Sequence, residues 1–161
     1  EFRGLVKYAV NFALPHETAE ELIKEIVADQ GTSLDELAKH WFLTEQQIKQ
    51  MYSCGMEIGM HGCSHRSLTQ IGVAGLQEEI AHSSDYLGEL LGKAPTWFCC
   101  PFTGSDLEPD MTGIYQACRE VDVKAIVTQE KAFTVPGGDR YEIPRFDCIH
   151  LPPRSTELLT A

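Results

Sequence analysis

The chain has 161 residues, 43% of them apolar, which is enough for one ordinary domain with a buried core and excludes global disorder. Thirteen basic against 24 acidic residues leave a formal net charge of −11, a surface that repels phosphate backbones and anionic headgroups, so neither nucleic acid nor a membrane is expected as a partner. No run approaches the roughly 18 apolar residues of a membrane span, and no charged segment followed by an apolar one opens the chain, so a cytoplasmic protein is expected.

Three helices are predicted in the first third. Residues 18–28 place Ala19, Leu22, Ile23, Ile26 and Val27 on one face of a 3.6-residue period, and Thr18 with Glu21 has the form of a capping box. Ser33 with Glu36 opens a second, short helix. Thr44 with Gln47 opens a third that stops at Gly55, a residue suited to the left-handed position after a helix.

The period then changes. Residues 56–60 form a short, mostly apolar run ending at His61 and are predicted as a buried strand. Residues 73–91 return to helical spacing and end at Gly92, residues 96–102 read as a strand, and 111–121 as a helix on Ile114, Ala117, Cys118 and Val121. Two further strands are predicted at 123–128 and 141–149, the second containing a proline that suggests an edge or a bulge. Strand and helix alternate as in an α/β fold with a parallel sheet, and one domain over 1–161 is expected, with a helical segment at 1–55 and an α/β core at 56–150. Only about four strands are countable, whereas a closed (β/α) barrel takes about 250 residues, so the chain is either a small open sheet or part of a larger barrel.

Six cysteines without a Cys-x-x-Cys pair read as reduced thiols, most of them small core residues. In the vicinal pair, Cys99 and Cys100 fall on opposite faces of a strand, so one is expected in the core and the other along a cleft. Trp41, Phe42 and Trp97 are expected in the core or a barrel wall.

The sharpest constellation is His61-Gly62-Cys63-Ser64-His65. Two histidines four apart, one at a strand end and one past a glycine turn, can aim both imidazoles at one ion at the carboxyl edge of a sheet, where ligands of α/β folds bind. The spacing alone leaves a metal site and a pair of hydrogen-bonded structural histidines both open. Cys63 is disfavoured as a nucleophile, because nucleophile and base normally come from separate elements so that their side chains converge.

The run from Leu43 through Gly55-Met-Glu-Ile-Gly-Met-His61-Gly-Cys-Ser-His65-Arg-Ser-Leu68 resembles the second motif of the polysaccharide deacetylases, carbohydrate esterase family four, in which a strand reads G-x-E-I-G-x-H-x-x-x-H. Glu79-Ile80, Ser83, Leu87 and Leu91-Gly92 are similar to the helix that follows, Phe98-Cys-Cys-Pro101-Phe102-Thr-Gly104 to the next motif, and Ile143-Pro144-Arg145-Phe146-Asp147 to a late Pro-Arg strand. The resemblance covers residues 42–149 and implies a partial or distorted, TIM-barrel-like (β/α) fold of mostly parallel strands whose first strands are missing. It implies hydrolysis of an acetamide on N-acetylated sugars, with His61 and His65 holding a divalent metal, expected to be zinc. A loop at Pro101, Phe102 and Gly104 would offer backbone N–H groups to the oxyanion. His150 is the candidate general acid, and Asp147 beside Arg145 is a candidate ligand or base, with a local ion pair as the plainer reading.

Three departures from the family pattern bear on activity. The chain contains no Asp-Asp pair, the family's source of a third metal ligand and a base. Cys99 stands where many members carry arginine, and Ile149-His150-Leu151 only loosely matches the late leucine-histidine motif. Two alternatives therefore stay open: a non-catalytic module that binds carbohydrate or a protein partner, and a structural metal site built from His61, Cys63, His65 and another cysteine. A sheet lacking its first strands also exposes an edge, so self-association is expected.

Overall fold

Two amphipathic helices each turn one apolar stripe onto the same short parallel sheet, and that packing sets the architecture. A computed structural model describes residues 2–66, 71–101 and 111–146. In chain order the elements are α1 (Phe2–Tyr8), which runs into a π-helical turn (Ala9–Ala13), α2 (His16–Asp29), α3 (Leu34–Trp41), α4 (Glu45–Ser53), α5 (Val73–Leu91), β1 (Trp97–Cys99), α6 (Met111–Glu120) and β2 (Ala125–Val127). Among the described residues no helix is long and apolar enough to cross a membrane.

Strands β1 and β2 run parallel, with Phe98 opposite Ile126. Met60 bridges to Phe98 on one side and Ile143 to Val127 on the other, both also parallel. Four chain segments therefore lie side by side in sequence order, with α5 crossing from the first to the second and α6 from the second to the third. The two crossover helices pack against each other, so both lie on one side of the sheet. Leu76 and Ile80 of α5, Ile114, Ala117 and Cys118 of α6, and Met60, Phe98 and Ile126 from the sheet form the core.

The α/β character and parallel sheet match expectation, but the strands are shorter. The 56–60 run contributes only Met60, whose N–H donates to the Trp97 carbonyl and whose carbonyl accepts from Cys99 N–H. The 141–149 run contributes only Ile143 among its described residues; Pro144 follows it and has no N–H to continue a ladder.

At the helix ends the local signals hold with one exception. Glu36 N–H donates to Ser33 Oγ at 3.2 Å and Ser33 N–H to Glu36 Oε2 at 3.2 Å. Thr44 and Gln47 form the same reciprocal pair, at 2.8 and 3.2 Å. Gly55 follows α4 at φ +89°, the left-handed conformation foreseen for it. The box at Thr18 and Glu21 does not form: α2 starts at His16, behind Pro15, so Thr18 already lies inside the first turn. The helix at residues 2–8 and its π-helical extension fall within the helical segment expected over 1–55.

Of the aromatic residues expected in the core or a barrel wall, none lies in the core. Trp41 is 74% exposed, Phe42 71% and Trp97 40%. Trp97 and Phe98 are successive strand residues, so the pleat that buries Phe98 turns Trp97 outward. The thiols divide as expected at the vicinal pair, with Cys100 buried and Cys99 half-buried; Cys118 is also buried, whereas Cys54 and Cys63 are exposed.

Candidate functional site

A parallel sheet delivers the ends of all its strands to one edge, and the chemistry-bearing residues collect there. His61 follows Met60, Cys100 and Pro101 follow β1, and Arg145 follows the Ile143 bridge. His61 is half-buried, with Nδ1 2.6 Å from the Cys99 carbonyl oxygen. A carbonyl only accepts, so the ring carries its proton on Nδ1 and keeps the Nε2 lone pair for a ligand. Burial holds the His61 pKa below its ordinary 6.5, and the charges of His65 and Arg145 push it further down, against the upward pull of the Cys99 carbonyl. The imidazole is thereby kept neutral, the form that binds metal.

The chain turns at Gly62, φ +81°, and reaches His65, itself at φ +54°. The turn brings the two imidazole rings to 4.8 Å between centroids, edge to face. Glu79 of α5 holds the intervening residues. Its Oε2 accepts from Cys63 N–H at 2.7 Å and Ser64 N–H at 3.0 Å, and its Oε1 from the Ser64 hydroxyl at 2.5 Å. Burial raises the Glu79 carboxyl, but these hydrogen bonds and the nearby Arg66 charge outweigh it and hold the group below the usual range.

Arg145 reaches β1 from the far side of the sheet, donating from Nη1 to Cys99 Sγ at 2.5 Å and from Nη2 to the Cys100 carbonyl at 3.0 Å. Its guanidinium therefore braces the strand end that orients His61. Pro101 is buried, and its carbonyl accepts from Gln129 Nε2 at 2.9 Å, which makes it part of the scaffold of the edge. Phe102, Gly104, Asp147 and His150 lie outside the described residues.

Two imidazoles at this separation fit half of a divalent metal centre of the zinc type, which usually takes three protein ligands when catalytic. Among the described residues no third His, Cys, Asp or Glu joins them, so the four-ligand structural site with Cys63 and a second cysteine is not formed there. Cys63 points its thiol at the Glu79 carbonyl, 3.5 Å away, and burial together with the Glu79 charge pushes that thiol up, which also argues against a nucleophile.

Beside the turn, a cavity of about 270 Å³ opens between the π-helical segment, α2, α3 and residues 64–66, with His65 and Arg66 on its wall. The Nε of Arg66 is buried without a hydrogen-bond partner. The contribution of Glu79 went unread in the sequence because it acts on residues 15 and 16 positions away. The available signal was a carboxylate on the same helical stripe as Leu76, Ile80 and Ser83, all buried, a position where a charge needs a partner.

A family model described as polysaccharide deacetylase matches residues 23–117. Among solved structures the chain is similar to the Streptococcus pyogenes deacetylase PplD in complex with acetate, at 24% identity and a TM-score of 0.55, over 64% of this chain and 43% of that one. It is also similar to a family 4 carbohydrate esterase from Streptomyces lividans in complex with acetate, at 18% identity and a TM-score of 0.44, over 52% of this chain and 40% of that one. The chain thus spans less than half the length of either. No curated protein matches it at a significant level.

Proposed function

The chain belongs to the polysaccharide deacetylase family, and from that premise we propose that its His61–His65 edge is the metal-binding half of a centre that removes the acetyl group from N-acetylated sugars. One observation carries the reading. The Cys99 carbonyl fixes His61 as the Nδ1–H tautomer, 4.8 Å ring to ring from His65, which is the arrangement of a metal-ligating histidine with its second nitrogen tied to the backbone.

The reaction is hydrolysis of an amide: a C–O bond forms at the acetamide carbon, the C–N bond breaks, and a proton passes to the departing amine, giving acetate and an amino sugar. A bound divalent metal, zinc in this proposal, supplies water activation and polarises the carbonyl. The chain's own groups do the rest. His61 and His65 hold the ion, and Arg145 braces the strand end beneath them. Backbone N–H groups in the loop after Pro101, around Phe102 and Gly104, receive the oxyanion. His150 protonates the leaving nitrogen, and Asp147 takes the role of a base or a further ligand. The sequential segment order with both crossover helices on one side supports an arc of a (β/α) barrel as the parent architecture.

The test is metal content followed by turnover. After incubation with equimolar zinc and desalting, the chain retains about one equivalent, His61→Ala retains none, and only the former releases acetate from N-acetylglucosamine oligomers. Zinc retention that is equal in the variant removes the proposal.

A second reading has its own support. Because two ligands and no third converge among the described residues, a chain that binds glycan without hydrolysing it is consistent with the donor set. Glycan binding with no acetate release, with or without zinc, would establish it. The Met60 segment pairs among the described residues with β1 alone, and the free side of that strand is the expected route to self-association, read by sedimentation.

A further inference from the structure

We propose that Glu79 is a positioning residue for the metal-binding pair: its carboxylate clamps the Gly62–Ser64 turn and so sets the separation of His61 from His65. The inference rests on the metal-binding reading above and extends it to a helix that supplies no ligand.

The geometry is specific. His61 is anchored on its own side by the Cys99 carbonyl, so its ring does not depend on the turn. His65 lies beyond three residues, of which Gly62 occupies a left-handed conformation. What fixes those residues is one side chain from α5, receiving two successive backbone N–H groups on Oε2 and a hydroxyl on Oε1. Two adjacent N–H groups converging on one anionic oxygen form a small nest, and charge-assisted bonds of this kind are stronger than neutral ones. The fit is close: a Cβ at residue 62 would stand 2.9 Å from Glu79 Oε2, so a side chain there requires the carboxylate to shift. Helix α5 carries the clamp on the stripe that buries Leu76, Ile80 and Ser83, so the carboxylate is held by the core and the turn is referenced to it.

Three variants of the full chain test this. Glu79→Gln keeps an acceptor oxygen for the two N–H groups, and its amide can donate to the Ser64 hydroxyl, so it preserves the clamp. Glu79→Ala removes all three bonds, and Ser64→Ala, at an exposed residue clear of the core, removes one. Amide hydrogen exchange of the metal-free chain reads the clamp, and zinc titration by calorimetry reads its consequence. Cys63 and Ser64 amides are expected to be protected in the wild type and Glu79→Gln and released in Glu79→Ala. Zinc affinity is expected to fall on the order of 10- to 100-fold in Glu79→Ala, the range for partners that orient a ligand, to fall less in Ser64→Ala, and to recover in Glu79→Gln. If Glu79→Ala does not fold, the Ser64→Ala and Glu79→Gln pair carries the comparison, and equal affinity in Ser64→Ala and wild type then overturns the role. Released amides with unchanged zinc affinity overturn it as well. A wild-type chain that takes up no zinc, with its amides still protected, overturns the metal reading itself and is thereby told apart from a failure of the clamp.

Discussion

The guanidinium of Arg145 sits against the thiol of Cys99, 2.5 Å from Nη1 to Sγ, so a cation from the last described segment of the sheet stands behind the carbonyl that orients His61. One arm of the guanidinium meets Cys99 at the end of β1 and the other the Cys100 carbonyl just beyond it. Asp147, the partner that the sequence suggested for Arg145, lies outside the described residues.

Removing that charge should be felt at both neighbours. Arg145 lowers His61 and pulls against the burial that raises the Cys99 thiol. In Arg145→Met the His61 pKa is expected to rise while staying below 6.5, because burial is the larger cause, and Cys99 is expected to rise further. Arg145→Lys keeps the charge without the two-armed contact and should leave His61 nearer its original value. Titration of the imidazole Cε1–H resonances by NMR checks both; a His61 that does not move in Arg145→Met refutes the electrostatic link.

Acid should destabilise the metal-free chain in two steps. The folded pKa of His61 lies below 6.5, so as pH falls the unfolded chain takes the proton first; the contribution is complete above 6.5 and is lost as pH falls from there through the lowered value. Glu79 is depressed from 4.5, so its contribution persists above 4.5 and is lost at lower pH, through its own folded value. Melting temperature against pH should therefore decline in both windows. His61→Gln should flatten the upper one alone, and an unchanged slope there would contradict the assignment.

Two glycines separate backbone strain from contact. Gly55 and Gly62 both have positive φ, +89° and +81°, but a Cβ at Gly55 meets open space while one at Gly62 meets Glu79 Oε2. Gly55→Ala should cost about 1 kcal/mol, the price of a left-handed alanine. Gly62→Ala should cost a further 1–3 kcal/mol or so, because the carboxylate is displaced and two amides lose their acceptor. Urea midpoints at constant slope measure the difference, and equal losses would mean that the clamp yields freely.

The core should be sharply bounded. Phe98 is fully buried between α5, α6 and the sheet, so Phe98→Ala is expected to lose about 3–5 kcal/mol. Phe133 is 84% exposed against Phe146, and Phe133→Ala should stay within about 0.5 kcal/mol. Denaturant unfolding of the two variants checks the contrast.

What could be read from the sequence was what depends on neighbours along the chain. The boxes at Ser33 and Thr44 and the stop at Gly55 are decided within four residues, and α5 spans 73–91 as its apolar period and the flanking glycines require. The start of α2 differs because Pro15, whose fixed φ suits the N-terminal boundary of a helix, sets it ahead of the Thr18 and Glu21 pair. The exposure of Trp41 and Phe42 depends on what packs against the end of α3, which no local pattern encodes. At the site, the pairing of His61 with His65 was legible in their spacing. The supports were not, since Cys99, Glu79 and Arg145 come from three separate elements and meet only once the sheet has formed.

Of the buried apolar residues among those described, Ala19 alone precedes Met60. Helices α1 to α3 therefore hold little of the hydrophobic free energy, and opening them leaves the packing around Phe98 and Ile80 untouched. Yet Val10, Leu14 and Ile23 of that same segment wall the cavity beside His65. A molecule lodged there would touch both the N-terminal helices and the turn that carries His65, and would so tie the least deeply packed part of the chain to its candidate site.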